Sequence, residues 1–166
     1  MYDCTDDVME HKRKVEYWLR DIANQISGRA KAHDDSKLKE PEKAIFDQWT
    51  PNLEQVEFGS EEYHRALEAM GQGLTHHYHN NRHHPEHFQD GVEGMTLVDL
   101  IEMFCDWLAA AEKKKTHVDL DYLQQRFGLS NQLVKVLYNT LEDIDFWSKA
   151  YNAPVPQFAS PLQGGK

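Results

Sequence analysis

The chain has 166 residues, 40% of them hydrophobic and 28% charged, which is enough apolar material for a packed interior and excludes wholesale disorder. With 18 basic against 28 acidic residues the formal net charge is −10, so a nucleic-acid polymer is not an expected partner. Charge interrupts every apolar stretch within a few residues, which excludes a membrane span or membrane partner, and the amino end has no basic-then-apolar secretory pattern.

Taken in order, the predicted elements are helices joined by loops. From about Asp6 to Ala30, Val8, His11, Val15, Trp18, Ile22 and Ile26 recur at steps of three and four, the period of an amphipathic helix whose stripe should face inward. A short helix is expected from Pro41 to Trp49, stopped by Thr50-Pro51-Asn52. Ser60 reads as an N-cap ahead of Glu61 and Glu62. The helix it opens carries Tyr63, Leu67, Met70 and Leu74 to about His79, with Gly71 and Gly73 allowing a close backbone approach. Residues 80–94 form a polar, histidine-rich loop. Thr96 and Asp99 pair as the cap of a helix from Leu97 to about Lys113. A shorter helix, Asp119 to Phe127, ends at Gly128, and Ser130 caps a last one with the stripe Leu133, Leu137, Leu141 and Ile144. No segment alternates like a strand. The fold class is all-α, one domain of about five to seven helices over residues 1–151, followed by a Pro-rich extended tail over 152–166.

Cys4 and Cys105 lie a hundred positions apart with no CxxC, which argues against a disulfide scaffold or zinc ribbon and makes the cytoplasm the expected compartment. The chemistry lies in the ten histidines. Six of them (His76, His77, His79, His83, His84 and His87) fall within twelve residues. A bound divalent metal would account for these histidines and for part of the acidic excess. His11 follows the apolar phase of the first helix. His33-Asp34 supplies an imidazole and a carboxylate from one short segment, a donor set suited to manganese, iron or zinc. Lys37 follows at a fixed short distance and could neutralise a bound anion. Helical phase turns His77 inward and His76 and His79 outward. His64 lies on the flank of the same helix, over Gly71, so both His64 and His77 are candidate ligands. Of the consecutive pair His83 and His84, one is expected to face the site. Asp99, Glu102 and Asp106 share a helix face, from which Asp106 could ligate; the ordinary alternative for that row is a solvated stripe.

In order, His11, His33-Asp34, Lys37, His64 or His77, His83-His84 and Asp106 resemble the HD-domain superfamily of metal-dependent phosphohydrolases. The resemblance covers roughly residues 8–110. That superfamily is all-α and sets an early helical His, the HD doublet and a late helical Asp around one metal, with further histidines where more metals bind. HDDSK is similar to the HDIGK-type string of the HD-GYP branch, and His83-His84 with Glu86 is similar to its paired histidines. No GYP sequence is present, so cyclic dinucleotide hydrolysis is not implied. Nor does an acidic residue stand at Lys37, as in the small nucleotidase branch. NRHHPEHF, followed by MTLVDLIEM and DW, resembles small proteins of bacteria and their phages.

The resemblance implies one or two divalent transition metals (Mn, Fe or Zn) and a small phosphorylated substrate. His11, His33, Asp34 and Asp106 would hold the first metal, with Asp34 able to bridge to a second held by His64 or His77 and by His84. Lys37 and His83 would act catalytically, the lysine on a phosphate oxygen and the histidine as a proton donor. The same donors would suit a diiron oxygenase or a ligand-binding module without catalysis, and a homo-oligomer stays open.

Overall fold

The computed structural model describes residues 2–57 and 59–144. Among them lie seven α-helices and no strand: α1 (Thr5–Ala32), α2 (Glu42–Leu53), α3 (Glu61–Met70), α4 (Gln72–Asn80), α5 (Leu97–Lys114), α6 (Leu120–Phe127) and α7 (Asn131–Asp143). The protein is all-α. Among the described residues, no helix is long and apolar enough to cross a membrane. The expected tail, 152–166, lies outside the described residues.

Two compact units divide at α5, one ending at Asp106 and the other beginning at Trp107. In the first, α2, α3 and α4 pack on one another, with Ala66 and Met70 of α3 buried. Gly73 is required where α4 meets α2, because a Cβ there would lie 2.6 Å from the Ile45 side chain. In the second unit, Leu120 and Leu123 of α6 and Val134, Leu137 and Leu141 of α7 are buried. The Trp107 and Phe127 rings stack with centroids 5.8 Å apart.

Caps set most boundaries where the sequence puts them. The hydroxyl oxygens of Ser60 and Ser130 accept from the N–H groups of Tyr63 and Leu133, and Asp119 accepts from Tyr122. Thr96 and Asp99 close a reciprocal box: Thr96 N–H donates to Asp99 Oδ2 (2.9 Å) and Asp99 N–H to Thr96 Oγ1 (3.2 Å). Gly128 ends α6 in the left-handed region.

Three expectations fail. The helix predicted over 60–79 is two, because Gly71 takes φ 48° and ψ −115° and breaks the ladder between α3 and α4. α2 runs through Thr50-Pro51-Asn52 to Leu53, since a proline near a helix end forfeits only one ladder bond. Finally, the stripe Val8, Val15, Trp18 and Ile22 of α1 does not face inward: no residue of α1 is buried, and these four are exposed.

Candidate metal centre

Local backbone geometry gathers the donors. At the end of α1 the chain turns through His33 into Asp34, which adopts the left-handed conformation (φ 59°, ψ 13°) that a short polar side chain tolerates. A 3-10 turn over Asp35–Leu38 follows, with Lys37 N–H donating to the Asp34 carbonyl at 2.9 Å. HDDSK is therefore one tight reversal that presents an imidazole, a carboxylate and an ammonium together. α4 contributes His77 from its buried face and ends where Asn81 N–H bonds the His77 carbonyl. The chain then turns back through His83 and His84. α5 supplies Asp99, Glu102 and Asp106 from successive turns of one face.

Asp34 is the hub. Its Oδ1 lies 3.4 Å from His77 Nε2 and 3.5 Å from His83 Nε2. Its Oδ2 lies 3.6 Å from His33 Nε2 and accepts a 2.5 Å hydrogen bond from Lys37 Nζ. His33 Nε2 is in turn 3.5 Å from Asp106 Oδ1, and His33 Nδ1 donates to Glu102 Oε1 at 3.1 Å. His77 Nε2 and His84 Nε2 are 2.9 Å apart. Among the described residues, three donor sets have ligand atoms within 4.8 Å of one another: His77, His83 and His84; His33, His83 and Glu102; and His33, Asp34 and Asp106.

The hydrogen bonding bears on whether these residues suit a metal. His83 is fully buried, yet both its ring nitrogens lack a hydrogen-bond partner, as does Asp34 Oδ1. Glu102 Oε1 approaches His83 Nδ1 to 3.3 Å without hydrogen-bond geometry. Orphaned buried polar atoms are rare in proteins and are explained by an ion or a chemical role. Two of these atoms, Asp34 Oδ1 and His83 Nε2, face each other at 3.5 Å, and with the neighbouring imidazoles they form a donor set that fits a divalent transition metal.

A second layer fixes the ring orientations. Glu42, fully buried at the start of α2, accepts from His77 Nδ1 (2.9 Å), His76 Nδ1 (2.7 Å) and Ser36 Oγ (2.8 Å). With Nδ1–H committed to Glu42, His77 turns its Nε2 lone pair toward Asp34 and His84. Asn81 Nδ2 donates to Ser36 Oγ at 2.7 Å and to the His77 carbonyl at 2.8 Å. On the α5 side, buried Asp99 accepts from Arg29 (2.5 Å) and Arg82 (2.8 Å), while Arg29 also reaches Glu102 at 2.9 Å. The two arginines thus offset a concentration of carboxylates that would otherwise repel one another.

Protonation follows from these contacts. His33 is pushed up to about 9, chiefly by Asp106, with Asp34 and Glu102 adding to the effect and burial opposing it. Burial draws His77 and His83 below the ordinary histidine value, and the Lys37 charge lowers His77 further. Burial works against an ionised Asp34, but the adjacent Lys37 ammonium outweighs it and holds the carboxyl below the usual carboxylate range. At neutral pH the buried imidazoles are neutral, Asp34 is ionised and His33 carries a proton.

Of the sequence-predicted residues, the structure brings together His33, Asp34, Lys37, His77, His83, His84 and Asp106. It does not bring in His11 or His64. His11 is exposed on α1, and the 22 residues separating it from His33 span about 33 Å of helix. His64 is exposed on α3, and the break at Gly71 removes the phase argument that carried it across to α4. Both His83 and His84 face the site, contrary to the expectation of one, because the turn after Asn81 points the consecutive rings into the same space with centroids 4.2 Å apart. Glu42, Glu102, Arg29, Ser36 and Asn81 were not assigned to the site. Glu102 lies one turn before Asp106 on the same face, a readable signal. Glu42 looks like an ordinary acidic residue in a helix's first turn, and nothing in the sequence marks it.

The chain belongs to a family of unknown function (DUF5662), whose model matches residues 1–143. No curated protein and no solved structure matches it.

Proposed function

We propose that the protein is a metal-dependent phosphohydrolase of small phosphorylated substrates, with a site of the kind found in HD-domain enzymes. The observation that carries this reading is the pair of orphaned groups, Asp34 Oδ1 and His83, buried face to face beside a lysine. The two oxygens of Asp34 look toward different donor groups, Oδ1 toward His77 and His83 and Oδ2 toward His33, an arrangement that would suit a carboxylate shared by two cations. In this reading His77, His83 and His84 would hold one cation, and His33 with Asp106 the other. Glu102, one turn from Asp106, stands in for the early helical histidine of the HD pattern, which His11 is too far away to provide.

A divalent transition metal bound there supplies Lewis acidity toward a phosphoryl oxygen and lowers the pKa of a bound water. The protein's own residues supply the rest. Lys37, hydrogen-bonded to Asp34 Oδ2, would offer a compact ammonium to a non-bridging phosphate oxygen. The Phe46 ring, 4.9 Å from Nζ, keeps it close to the site. Burial of His83 on both ring nitrogens makes it a ligand in this scheme rather than the proton donor.

The test is release of inorganic phosphate from nucleotides and sugar phosphates by protein loaded with manganese, iron or zinc, with Asp34→Ala as control. Turnover lost in Asp34→Ala supports the assignment. A fully loaded protein inert on every phosphate ester contradicts it. Oxygen uptake coupled to substrate loss by anaerobically loaded iron protein would give the site to diiron oxygenase chemistry, which an imidazole-rich donor set also suits.

A further inference from the structure

The donors around Asp34 are of two chemical kinds, and the two oxygens of that carboxylate divide them. On the Oδ1 side stand His77 Nε2 at 3.4 Å and His83 Nε2 at 3.5 Å. His84 joins them, its Nε2 2.9 Å from that of His77, so this set is all imidazole. On the Oδ2 side stands His33 Nε2 at 3.6 Å, itself 3.5 Å from Asp106 Oδ1. That set is one imidazole with two carboxylates, Asp34 and Asp106. Glu102 does not discriminate between the sets, because its Oε1 lies 3.1 Å from His33 Nδ1 and 3.3 Å from His83 Nδ1.

Burial separates the same two sets. The side chains of His77 and His83 are 2% and 1% exposed. Asp34 Oδ1 and both ring nitrogens of His83 are buried without a hydrogen-bond partner. His33 and Asp106, by contrast, are 28% and 30% exposed. The imidazole set therefore lies in the dry interior, and the carboxylate set opens to water. Lys37, bonded to Oδ2 and one-third exposed, puts its ammonium on the open side.

Donor chemistry decides what each set can hold. Imidazole suits zinc, copper, iron and nickel, whereas carboxylate and water suit magnesium, calcium and manganese. Bonds of about 2.0–2.2 Å to zinc place neighbouring donors about 2.8–3.6 Å apart. The inner distances of 2.9, 3.4 and 3.5 Å already lie in that range. A hard cation instead keeps part of its water shell and is commonly held by one or two carboxylates together with substrate phosphate. The open set beside Lys37 offers such a place.

We propose that the centre is mixed. His77, His83 and His84 select a zinc-like ion, and His33, Asp34 and Asp106 select a hard, hydrated ion such as manganese or magnesium. The hard ion is the one that meets the phosphate, and Asp34 is shared by both. Zinc outcompetes manganese at most nitrogen and oxygen sites, so the partition is one of order. The first zinc enters the imidazole set, and manganese keeps the carboxylate set while zinc is not in excess. This partition rests on the two-cation reading above and specifies which residues choose which ion.

The untagged full chain, stripped of metal, is given one equivalent of zinc, then one of manganese, and desalted. Elemental analysis should find both ions in about equal amounts. X-ray absorption at the zinc edge should show an imidazole-rich shell, and electron paramagnetic resonance should show bound manganese uncoupled from any second paramagnetic ion. His84→Ala should weaken the first zinc by more than the roughly hundredfold that loss of an outer partner costs. Its manganese affinity, titrated with manganese alone, should stay unchanged. Asp106→Ala should do the reverse. His84 and Asp106 are each only part-buried, so both variants should fold, and the absorption measurement on wild-type protein depends on neither. A first zinc with a single imidazole, ions spread evenly over both sets, or equal losses of both ions in both variants overturns the partition but leaves a metal centre standing. A chain that takes up no metal overturns both. Selective loading without phosphate release from any ester upholds the partition and contradicts the phosphohydrolase reading.

Discussion

Replacing Glu42 should separate metal affinity from the ligands themselves. Its carboxylate is fully buried and accepts from His77 Nδ1, His76 Nδ1 and Ser36 Oγ. In Glu42→Ala the His77 N–H and the Ser36 hydroxyl lose their acceptor inside the protein, at about 1–3 kcal/mol each. The opened space and the lost charge add to this, so a total of roughly 3–5 kcal/mol of folding stability is expected. Glu42→Gln keeps the volume and one acceptor oxygen. It cannot accept from His76 and from His77 with Ser36 at once, because its second terminal atom is an amide donor. Its expected cost is about 1–3 kcal/mol. Metal affinity should fall ten- to a hundredfold in Glu42→Gln, the usual penalty for losing the carboxylate behind a ligating histidine. Chelator competition on folded protein gives the affinity, and urea denaturation of metal-stripped protein gives the stability. Unchanged metal affinity in a folded Glu42→Gln variant would refute the orienting role and leave Glu42 as a structural acid.

Because His33 is pushed up to about 9, metal binding at pH 7.5 should release about one proton per site, and affinity should climb with pH until about 9. Calorimetry in buffers of different ionisation enthalpy reads the proton directly, and His33→Gln should abolish the release. In metal-free protein the sign of the stability term is opposite. His33's contribution is complete below about 6.5 and lost as pH rises through about 9, so the melting temperature should fall across that window by the equivalent of about 1–3 kcal/mol. His77→Ala should disturb metal content or folding more than His76→Ala or His79→Ala, with His11→Ala and His64→Ala silent in elemental analysis. Equal losses at all five positions would reject the geometry. Lys37→Ala should keep its metal, since it removes a cation that competes for Asp34. It should lose ten- to a thousandfold in phosphate release, about 1.4–4 kcal/mol, with partial recovery in Lys37→Arg.

Much of this molecule is legible in the sequence because local rules dominate it. Ser60, Thr96 with Asp99, Asp119 and Ser130 set helix starts through side-chain caps a few residues long, and no distant contact overrides them. HDDSK is one short segment, and for the same reason the structure keeps His33, Asp34 and Lys37 side by side. Helical phase picks out His77 from its neighbours, and the structure buries it. Phase fails across Gly71, where a single positive φ separates His64 from the helix that carries His77. It misleads at His11 in another way: periodicity shows that a face is apolar but not what covers it. Glu42 was illegible because its role arises when α2 packs against α4, a tertiary event with no local sequence trace.

The central claim is that Asp34 is the hub of a metal centre. Elemental analysis of untagged protein, purified without chelators and again after loading with manganese, iron or zinc, tests it most directly. The expected result is at least one tightly held transition metal per chain, lost in Asp34→Ala while the helical circular-dichroism signal persists. A wild-type protein that takes up no metal, or a folded Asp34→Ala variant that keeps full occupancy, would contradict it.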